Sequence, residues 1–395
     1  MKTKTWKINK LEEVCEILDN KRIPISQKNR ISGIYPYYGA SGIVDYIDKY
    51  IFDEELVLIG EDGAKWGAFE NSAFIVNGKY WVNNHAHILK PNNEILINKF
   101  LVYFLNYSNL EKYITGATVK KLNQQKLKQI EIPLPPLKEQ EKIMGILDES
   151  FAKIDESIKI LEQDLLNLDE LMQSALQKAF NPLKDNAKEN YKLPQGWEWK
   201  SLGEISKLIQ NGFAASKNNE IPSGYVHLRT HNISTDGNLN FDTLIKIKRE
   251  FIKEKQSFIE KNDILFNNTN STELVGKTAL VTQNYNYAFS NHLTKIKLKN
   301  QYNSKLVVFY FVLLLKNKYF EKICHQWIGQ SGINIDKLKK IQIPLPPLKE
   351  QEQIASHLDE LSSHVKNLKQ NYQAQIKDLQ ELKNSLLDKA FKGNL

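Results

Sequence analysis

The sequence predicts an α+β fold in which two globular α/β domains alternate with two long helices. Three observations predict it: a whole-domain duplication, heptad patterning inside the duplicated segment, and a positive excess on the segment that precedes each copy. Residues 132–141 read Ile-Pro-Leu-Pro-Pro-Leu-Lys-Glu-Gln-Glu, and residues 343–352 repeat that phrase, an offset of 211. At the same offset, 130–181 and 341–392 are identical at 23 of 52 positions. A period this long is no solenoid repeat; it marks two copies of a domain together with its helix.

The elements follow in order. Residues 1–131 form a first domain, 132–181 a first repeat helix, 182–194 a polar linker with a helix-stopping Pro182, 195–342 a second domain, and 343–395 a second repeat helix. The domains differ except at their openings, where Trp6-Lys7 and Leu11-Glu-Glu-Val14 echo Trp199-Lys200 and Leu202-Gly-Glu-Ile205. Glu55–Ile59, Ala73–Val76, Asp263–Phe266 and Leu293–Leu298 read as strands, and Phe100–Leu105 and Leu306–Leu315 as buried helices. Each repeat segment opens a helix at a Pro-Pro pair, where a missing N–H costs nothing, with glutamates in the first turn. Leu147, Phe151, Ile154, Ile158, Leu161, Leu165, Leu168, Met172, Ala175 and Ala179 recur at spacings of 4 and 3, the heptad seam of a coiled coil. In the second copy the seam reads Leu361, Val365, Leu368, Tyr372, Gln375, Leu379, Leu382 and Leu386, with Gln375 as a register-setting polar residue.

Charge sorts with this plan. The chain carries +8 overall: residues 1–135 hold 18 basic and 15 acidic side chains, 136–185 hold 6 and 11, 186–342 hold 23 and 13, and 343–395 hold 7 of each. The positive excess, +3 and +10, sits on the two domains, so an acidic partner such as nucleic acid would meet the domains rather than the helices. Two cysteines, Cys15 and Cys324, imply no disulfide framework. No stretch has the length and apolarity of a membrane span or a signal segment, so the expectation is a cytoplasmic protein without membrane contact.

Catalytic signatures are sparse. Val275-Gly-Lys-Thr278 ends like a phosphate loop, but Ser271 stands where the first glycine is required. No glycine-rich turn in a βαβ unit offers a dinucleotide or adenosyl pocket. His85-Ala-His87 could present two imidazoles from one strand face, yet no third ligand lies near in sequence, so hydrogen-bonding histidines and no metal are expected. Gly60-Glu-Asp-Gly63 reads as a structural turn. Amide, aromatic and cationic side chains cluster in loops instead. Amides can pair with adenine edges, arginine with guanine and lysine with phosphate. The candidate reading surface is Tyr37, Tyr38, Ser41, Lys65, Asn83, Asn84 and His85 in the first domain. In the second it is Arg229, His231, Asn268, Asn270, Lys277, Asn291, His292, Lys295 and Lys297.

Across essentially its whole length the chain resembles the specificity subunit of type I restriction–modification enzymes. The resemblance rests on Ile132–Gln140 and its copy Ile343–Gln351, each opening a long helix after a variable domain. Tyr35-Pro-Tyr-Tyr-Gly-Ala-Ser-Gly42, Leu58-Ile-Gly-Glu-Asp-Gly-Ala64 and Val82-Asn-Asn-His-Ala-His87 are similar to phrases of that family's target-recognition domains. The resemblance implies an antiparallel coiled coil, pseudo-twofold symmetry, and one half of a split, asymmetric double-stranded DNA target read by each domain. It further implies two modification subunits, carrying adenosylmethionine and methylating adenine at N6, and two restriction subunits that use ATP and Mg. This chain would bind none of those cofactors and would be non-catalytic. Two rival classes are an enzyme in its own right, marked by its own affinity for adenosylmethionine or ATP, and a coiled-coil scaffold that binds no DNA.

Overall fold

The computed structural model describes residues 6–181, 193–252 and 258–395, so most of the linker expected at 182–194 lies outside the described residues. The chain divides into two compact units, Met1–Glu162 with Tyr372–Leu395, and Gln163–Asn371. No helix among the described residues is long and apolar enough to cross a membrane.

In the first unit, β1 (Lys7–Lys10), α1 (Leu11–Val14) and β2 (Cys15–Ile17) lead into β3 (Ser32–Gly39), β4 (Gly42–Ile47), β5 (Phe52–Asp53), β6 (Leu56–Gly60), β7 (Ala73–Val76), β8 (Lys79–Val82) and β9 (Ala86–Pro91). Then come α2 (Asn98–Tyr107), α3 (Gln124–Lys128), β10 (Glu131–Leu134) and α4 (Leu137–Phe180), which belongs to the second unit from Gln163 on. One sheet runs β2-β9-β6-β7 and a second runs β4-β3-β8-β5; β1 pairs with β10 alone. The core lies under α2, where Phe100, Leu101 and Leu105 meet Val57, Ile59 and Leu89, all fully buried.

The second unit continues with β11 (Glu198–Ser201), α5 (Leu202–Ile205), β12 (Ser206–Asn211), β13 (Glu220–Leu228), β14 (Lys246–Ile247), β15 (Ile264–Asn267), β16 (Thr269–Asn270), β17 (Thr278–Leu280), β18 (Ala288–Phe289) and β19 (Leu293–Leu298). It closes with α6 (Ser304–Lys316), α7 (Tyr319–Ile323), β20 (His325–Trp327), β21 (Gln330–Gly332), α8 (Ile335–Lys339), β22 (Gln342–Leu345) and α9 (Leu348–Phe391), which belongs to the first unit from Tyr372 on. Its sheets run β12-β19-β15-β17, β14-β13-β18 and β16-β21-β20. Strand by strand, β12-β19-β15-β17 repeats β2-β9-β6-β7, and β14-β13-β18 repeats β4-β3-β8. The parallel pairs agree too: Tyr37 faces Trp81 and Tyr38 faces Val82, as His227 faces Ala288 and Leu228 faces Phe289. The duplication therefore includes the globular domains, whose sequences have diverged past recognition. It also corrects the pairing of the openings. Lys7 lies opposite Leu134 and Glu198 opposite Leu345, so Trp197, not Trp199, is the counterpart of Trp6.

The repeated phrase is half strand, half helix. Ile132-Pro133-Leu134 lies in β10 opposite β1, and Ile343-Pro344-Leu345 in β22 opposite β11, edge pairings that tolerate a proline. The helices start only at Leu137 and Leu348. The phrase's glutamine is a buried fastener. Gln140 accepts from the Ile97 amide at 2.9 Å and donates to Ile95 O and Pro135 O, both at 2.8 Å. Gln351 accepts from the Asn303 amide and donates to Pro346 O, both at 2.9 Å. Asn123 and Asn334, also paired by the repeat, cap α3 and α8 by accepting from the amides of Lys126 and Lys337.

In the first unit the start of α4 runs antiparallel to the end of α9: Asp155 pairs with Lys383 at 2.6 Å, Leu161 shares a cavity with Leu379, and Phe391 reaches Phe100. In the second unit the end of α4 runs antiparallel to the start of α9, with Asp169 bound to Lys369 at 2.7 Å. The seam expected in α4 is on the covered side: Leu147, Ile154 and Leu168 are buried, and Phe151, Ile158, Leu161 and Leu165 half-buried. In α9, Val365 is buried and Leu361, Tyr372, Leu379 and Leu386 half-buried. Alternate positions correct the reading. Leu368 and Leu382 are 40% and 46% exposed and Gln375 is exposed, while Lys369, Ile376 and Lys383 take the inner places. Lysine serves there because its stem covers apolar surface while its ammonium finds a carboxylate. Lys383 lies over the Phe151 ring at 4.9 Å as it binds Asp155.

Candidate nucleic-acid interface

The two domains share a three-residue turn, 83–85 between β8 and β9 and 290–292 between β18 and β19. The chain enters from one sheet and leaves into the other, so its middle stands clear of both. Asn83 N donates to Tyr38 O and Ser290 N to Leu228 O, both at 3.0 Å. Glu61 N donates to His85 O at 2.8 Å and Asn268 N to His292 O at 3.0 Å. By these bonds Asn84 is equivalent to Asn291 and His85 to His292, and all four residues are exposed. His85 is further held by Asp62 at 2.5 Å.

Beneath each turn lies a buried polar group, different in kind. In the first domain Asp19, Glu61 and His87 converge: His87 Nδ1 is 2.5 Å from Asp19 and 3.7 Å from Glu61, and its Nε2 reaches Leu122 O at 2.6 Å. Arg22 binds both carboxylates, Lys121 reaches Glu61 at 2.8 Å, and Gln124 donates to Asp19 at 3.0 Å. Arg22 also donates to Ala86 O at 2.9 Å and Asn84 O at 3.4 Å, gripping the turn itself. Burial pushes the Asp19 and Glu61 carboxyls up, but His87, Arg22 and Lys121 outweigh it and hold both below their ordinary range. Among the described residues this is a cluster able to hold a metal ion, its ligand atoms within 4.8 Å. Two cations already neutralise its carboxylates, so the geometry is that of a salt-bridge network. The sequence reading of His85 and His87 as neighbours on one face fails here. His85 belongs to the turn, and the partners of His87 come from far along the chain.

In the second domain the same places hold neutral groups. Asn211 stands for Asp19, Asn268 for Glu61 and Thr294 for His87, since Asn211 faces Thr294 in the β12–β19 register. Thr294 Oγ1 donates to Asn211 Oδ1 at 2.7 Å, and Asn268 Nδ2 donates to Thr294 Oγ1 at 2.9 Å. Asn268 Nδ2 also reaches Asn291 O at 3.0 Å, the role Arg22 plays toward Asn84. Either way the buried group fixes the carbonyl at the turn's apex, so the exposed amide and imidazole are presented with little freedom to lose on binding.

Several expected contact residues lie elsewhere. Tyr37 is fully buried, its hydroxyl accepting from the Ile25 amide at 3.0 Å. Asn83 is buried, its Oδ1 accepting from the His85 amide at 2.7 Å. Asn268 is buried as described. Lys277 is buried with its ammonium on Thr230 O at 2.9 Å, and Gly276 beside it lies against Phe320, so the phosphate-loop echo cradles nothing. Lys295 is buried, donating to Phe258 O at 2.8 Å over the Phe289 ring, and burial pushes it and Lys277 toward easier deprotonation. In each case polarity reflects a satisfied interior position, because buried polar groups must be paired.

Other expected residues remain near the surface. Ser41 is exposed at the β3–β4 tip, Lys65 is exposed beside Glu70, and His231 is exposed with its ring on Thr243 O. Tyr38, Arg229, Asn270 and Lys297 are half-buried. Tyr38 stands edge-on to Tyr80, Arg229 holds Ala215 O and Glu220, and Lys297 is tied to Glu260. Arg22 and Asn211 were not singled out from sequence, since their roles depend on which strands become neighbours.

Comparison with known proteins agrees with this architecture. The family model described as the type I restriction modification DNA specificity domain matches residues 3–165 and again 194–378. A type I restriction enzyme specificity subunit of Haemophilus influenzae is 30% identical over 384 residues, 95% of this chain and 92% of that one. The EcoKI specificity subunit of Escherichia coli K12 is 25% identical over 317 residues, 78% of this chain and 68% of its own. Among solved structures, a chain of a type I R-M system described in its assembly and conformational transition has a TM-score of 0.74 at 20% identity, covering 99% of this chain and 98% of that one. The HsdS subunit of Thermoanaerobacter tengcongensis has a TM-score of 0.54 at 20% identity, covering 99% and 97%. With two matches falling on the two halves of the duplication, the chain belongs to the family of type I restriction–modification DNA specificity subunits.

Proposed function

We propose that each domain reads one half of a split, asymmetric double-stranded DNA target, and that the turn at 83–85 or 290–292 makes the central contact. One observation carries this reading: two basic domains with almost no sequence in common keep the same exposed Asn-His turn at the same topological place. Their surroundings differ, as two different half-sites require. Asn84 and Asn291 have the amide geometry to pair with adenine, and the imidazoles of His85 and His292 can reach a base edge or a phosphate.

In this reading the chain is non-catalytic and cytoplasmic and binds no cofactor. Two modification subunits, carrying adenosylmethionine, methylate adenine at N6 at the positions the domains select, and two restriction subunits supply ATP- and Mg-dependent cleavage. The helices serve for docking as well as pairing: Ile160, Leu166, Leu171 and Leu382 are apolar yet 46–58% exposed on them. The test is methylome sequencing of a host given this chain with its modification partner. One bipartite N6-methyladenine motif is expected, and it should break into a degenerate first half with Asn84→Ala/His85→Ala. Adenosylmethionine turnover by the purified chain alone would refute the reading.

A further inference from the structure

One hairpin recurs in both domains with different tips: Thr115 pairs with Lys121 and Lys121 with Asp62 in the first, as β20 pairs with β21 and β21 with β16 in the second. Strands β20 and β21 form a hairpin whose tip is Ile328-Gly329, Gly329 adopting the left-handed backbone such a tight turn needs. Ile328 is wholly exposed and Trp327 beside it is 52% exposed. At the 211-residue offset the first domain has Gly116 and Ala117 in these places.

The base of this hairpin is fixed. Ser331 is buried with its hydroxyl 2.8 Å from Thr272, and β21 pairs with β16, Thr269 facing Gly332. Ile333 N donates to Asn268 O at 2.9 Å, and the Asn268 side chain holds Asn291 O in the reading turn. The Trp327 indole rests on Gly332, where any Cβ would lie 2.8 Å from the ring, and meets His325 edge-on at 4.8 Å. A rigid apolar tip is thus tied through one residue, Asn268, to the turn that faces DNA, in the domain carrying +10 of the charge.

We propose that Trp327 and Ile328 form a wedge that enters one base step of the duplex beside the second half-site, unstacking and kinking it. This rests on the DNA-reading function proposed above. Apolar side chains at such tips can be spent on unstacking when the bent duplex then meets more protein surface. Exposed Ile328 has its full transfer free energy to contribute, and an indole face stacks on any base. The first domain's hairpin exposes Val119 but has Gly116 and Ala117 where the second has Trp327 and Ile328, so it has no ring to stack and the distortion is confined to one side of the target.

The experiment uses this chain assembled with its modification subunit, and duplexes carrying its methylome-defined target with 2-aminopurine at successive positions of each half. Binding should raise fluorescence at one step of the second half and at none of the first. Ile328→Ser, whose side chain touches nothing that folding needs, should remove that rise and weaken binding roughly tenfold, and Trp327→Ala should do the same. An abasic site placed at the sensitive step should restore most of the lost affinity. Unchanged fluorescence and affinity in both variants would overturn the wedge while leaving the DNA-reading function intact. So would loss of the modification subunit from either variant, which would make the tip a protein contact. Failure of the unsubstituted assembly to bind any duplex would overturn the underlying function and the wedge with it.

Discussion

Phe391→Ala is the sharpest perturbation of the helix scheme. Phe391 ends α9, yet its ring sits in the core of the first domain, 5.3 Å from Phe100, 5.4 Å from Phe104 and stacked on Tyr107 at 5.1 Å. One turn earlier Asp388 accepts from the Tyr107 hydroxyl at 3.0 Å. Removing a ring this buried costs about 3–5 kcal/mol. A domain of this size has about 5–15 kcal/mol in hand. The open population should therefore rise about 10²- to 4 × 10³-fold, at a factor of ten per 1.4 kcal/mol. Hydrogen exchange read by mass spectrometry is the assay, since exchange in protected elements follows such openings. α2 should lose protection although it lies nearly 300 residues from the mutation in sequence. The companion is Phe180→Ala. Phe180 ends α4 and meets Tyr310 at 5.0 Å, so it should loosen α6 instead. Full protection of α2 in Phe391→Ala, or loosening of α6 in its place, would refute the assignment of each helix end to its domain.

Two further outcomes follow from burial and charge. Leu147→Asp should unfold the first unit, because Leu147 is fully buried and an unpaired carboxylate there costs several kcal/mol, whereas Leu382→Asp should shift thermal unfolding little. His227 is fully buried, and burial together with the neighbouring charge of Arg229 pushes its imidazole down from 6.5 to about 4. The unfolded chain then binds the extra proton, so stability is fully present above pH 6.5 and lost as pH falls toward 4, by up to about 3 kcal/mol. His227→Gln should flatten that part of the stability profile of the second unit, measured by denaturant titration between pH 4 and 7; an unchanged slope would mean another group carries it.

Much of this was legible in the sequence because it is written in spacing. The 211-residue offset gave the duplication, the heptads gave the helices, and the strands at Ala73–Val76 and Leu293–Leu298 fell where alternation and β-branching put them. What escaped depends on which strands become neighbours. Asn268 and Lys277 look like surface polar residues in a loop, and only the fold shows that they satisfy an interior. The seam of α9 was misread at Leu368 and Leu382 because a period of leucines is easier to see than lysines that cover apolar surface with their stems. The kinship of the two domains left almost no trace in residue identities; it survives in strand order and register, which need only that buried positions stay buried and not that they keep the same residue.

The central claim is that the two equivalent domains read DNA independently. It is tested most directly by replacing residues 1–131 with the first domain of another family member and sequencing the methylated motif of a host carrying the chimera and the modification partner. The expected motif has a new first half, with the second half and the gap unchanged. A chimera that altered both halves together would contradict the claim.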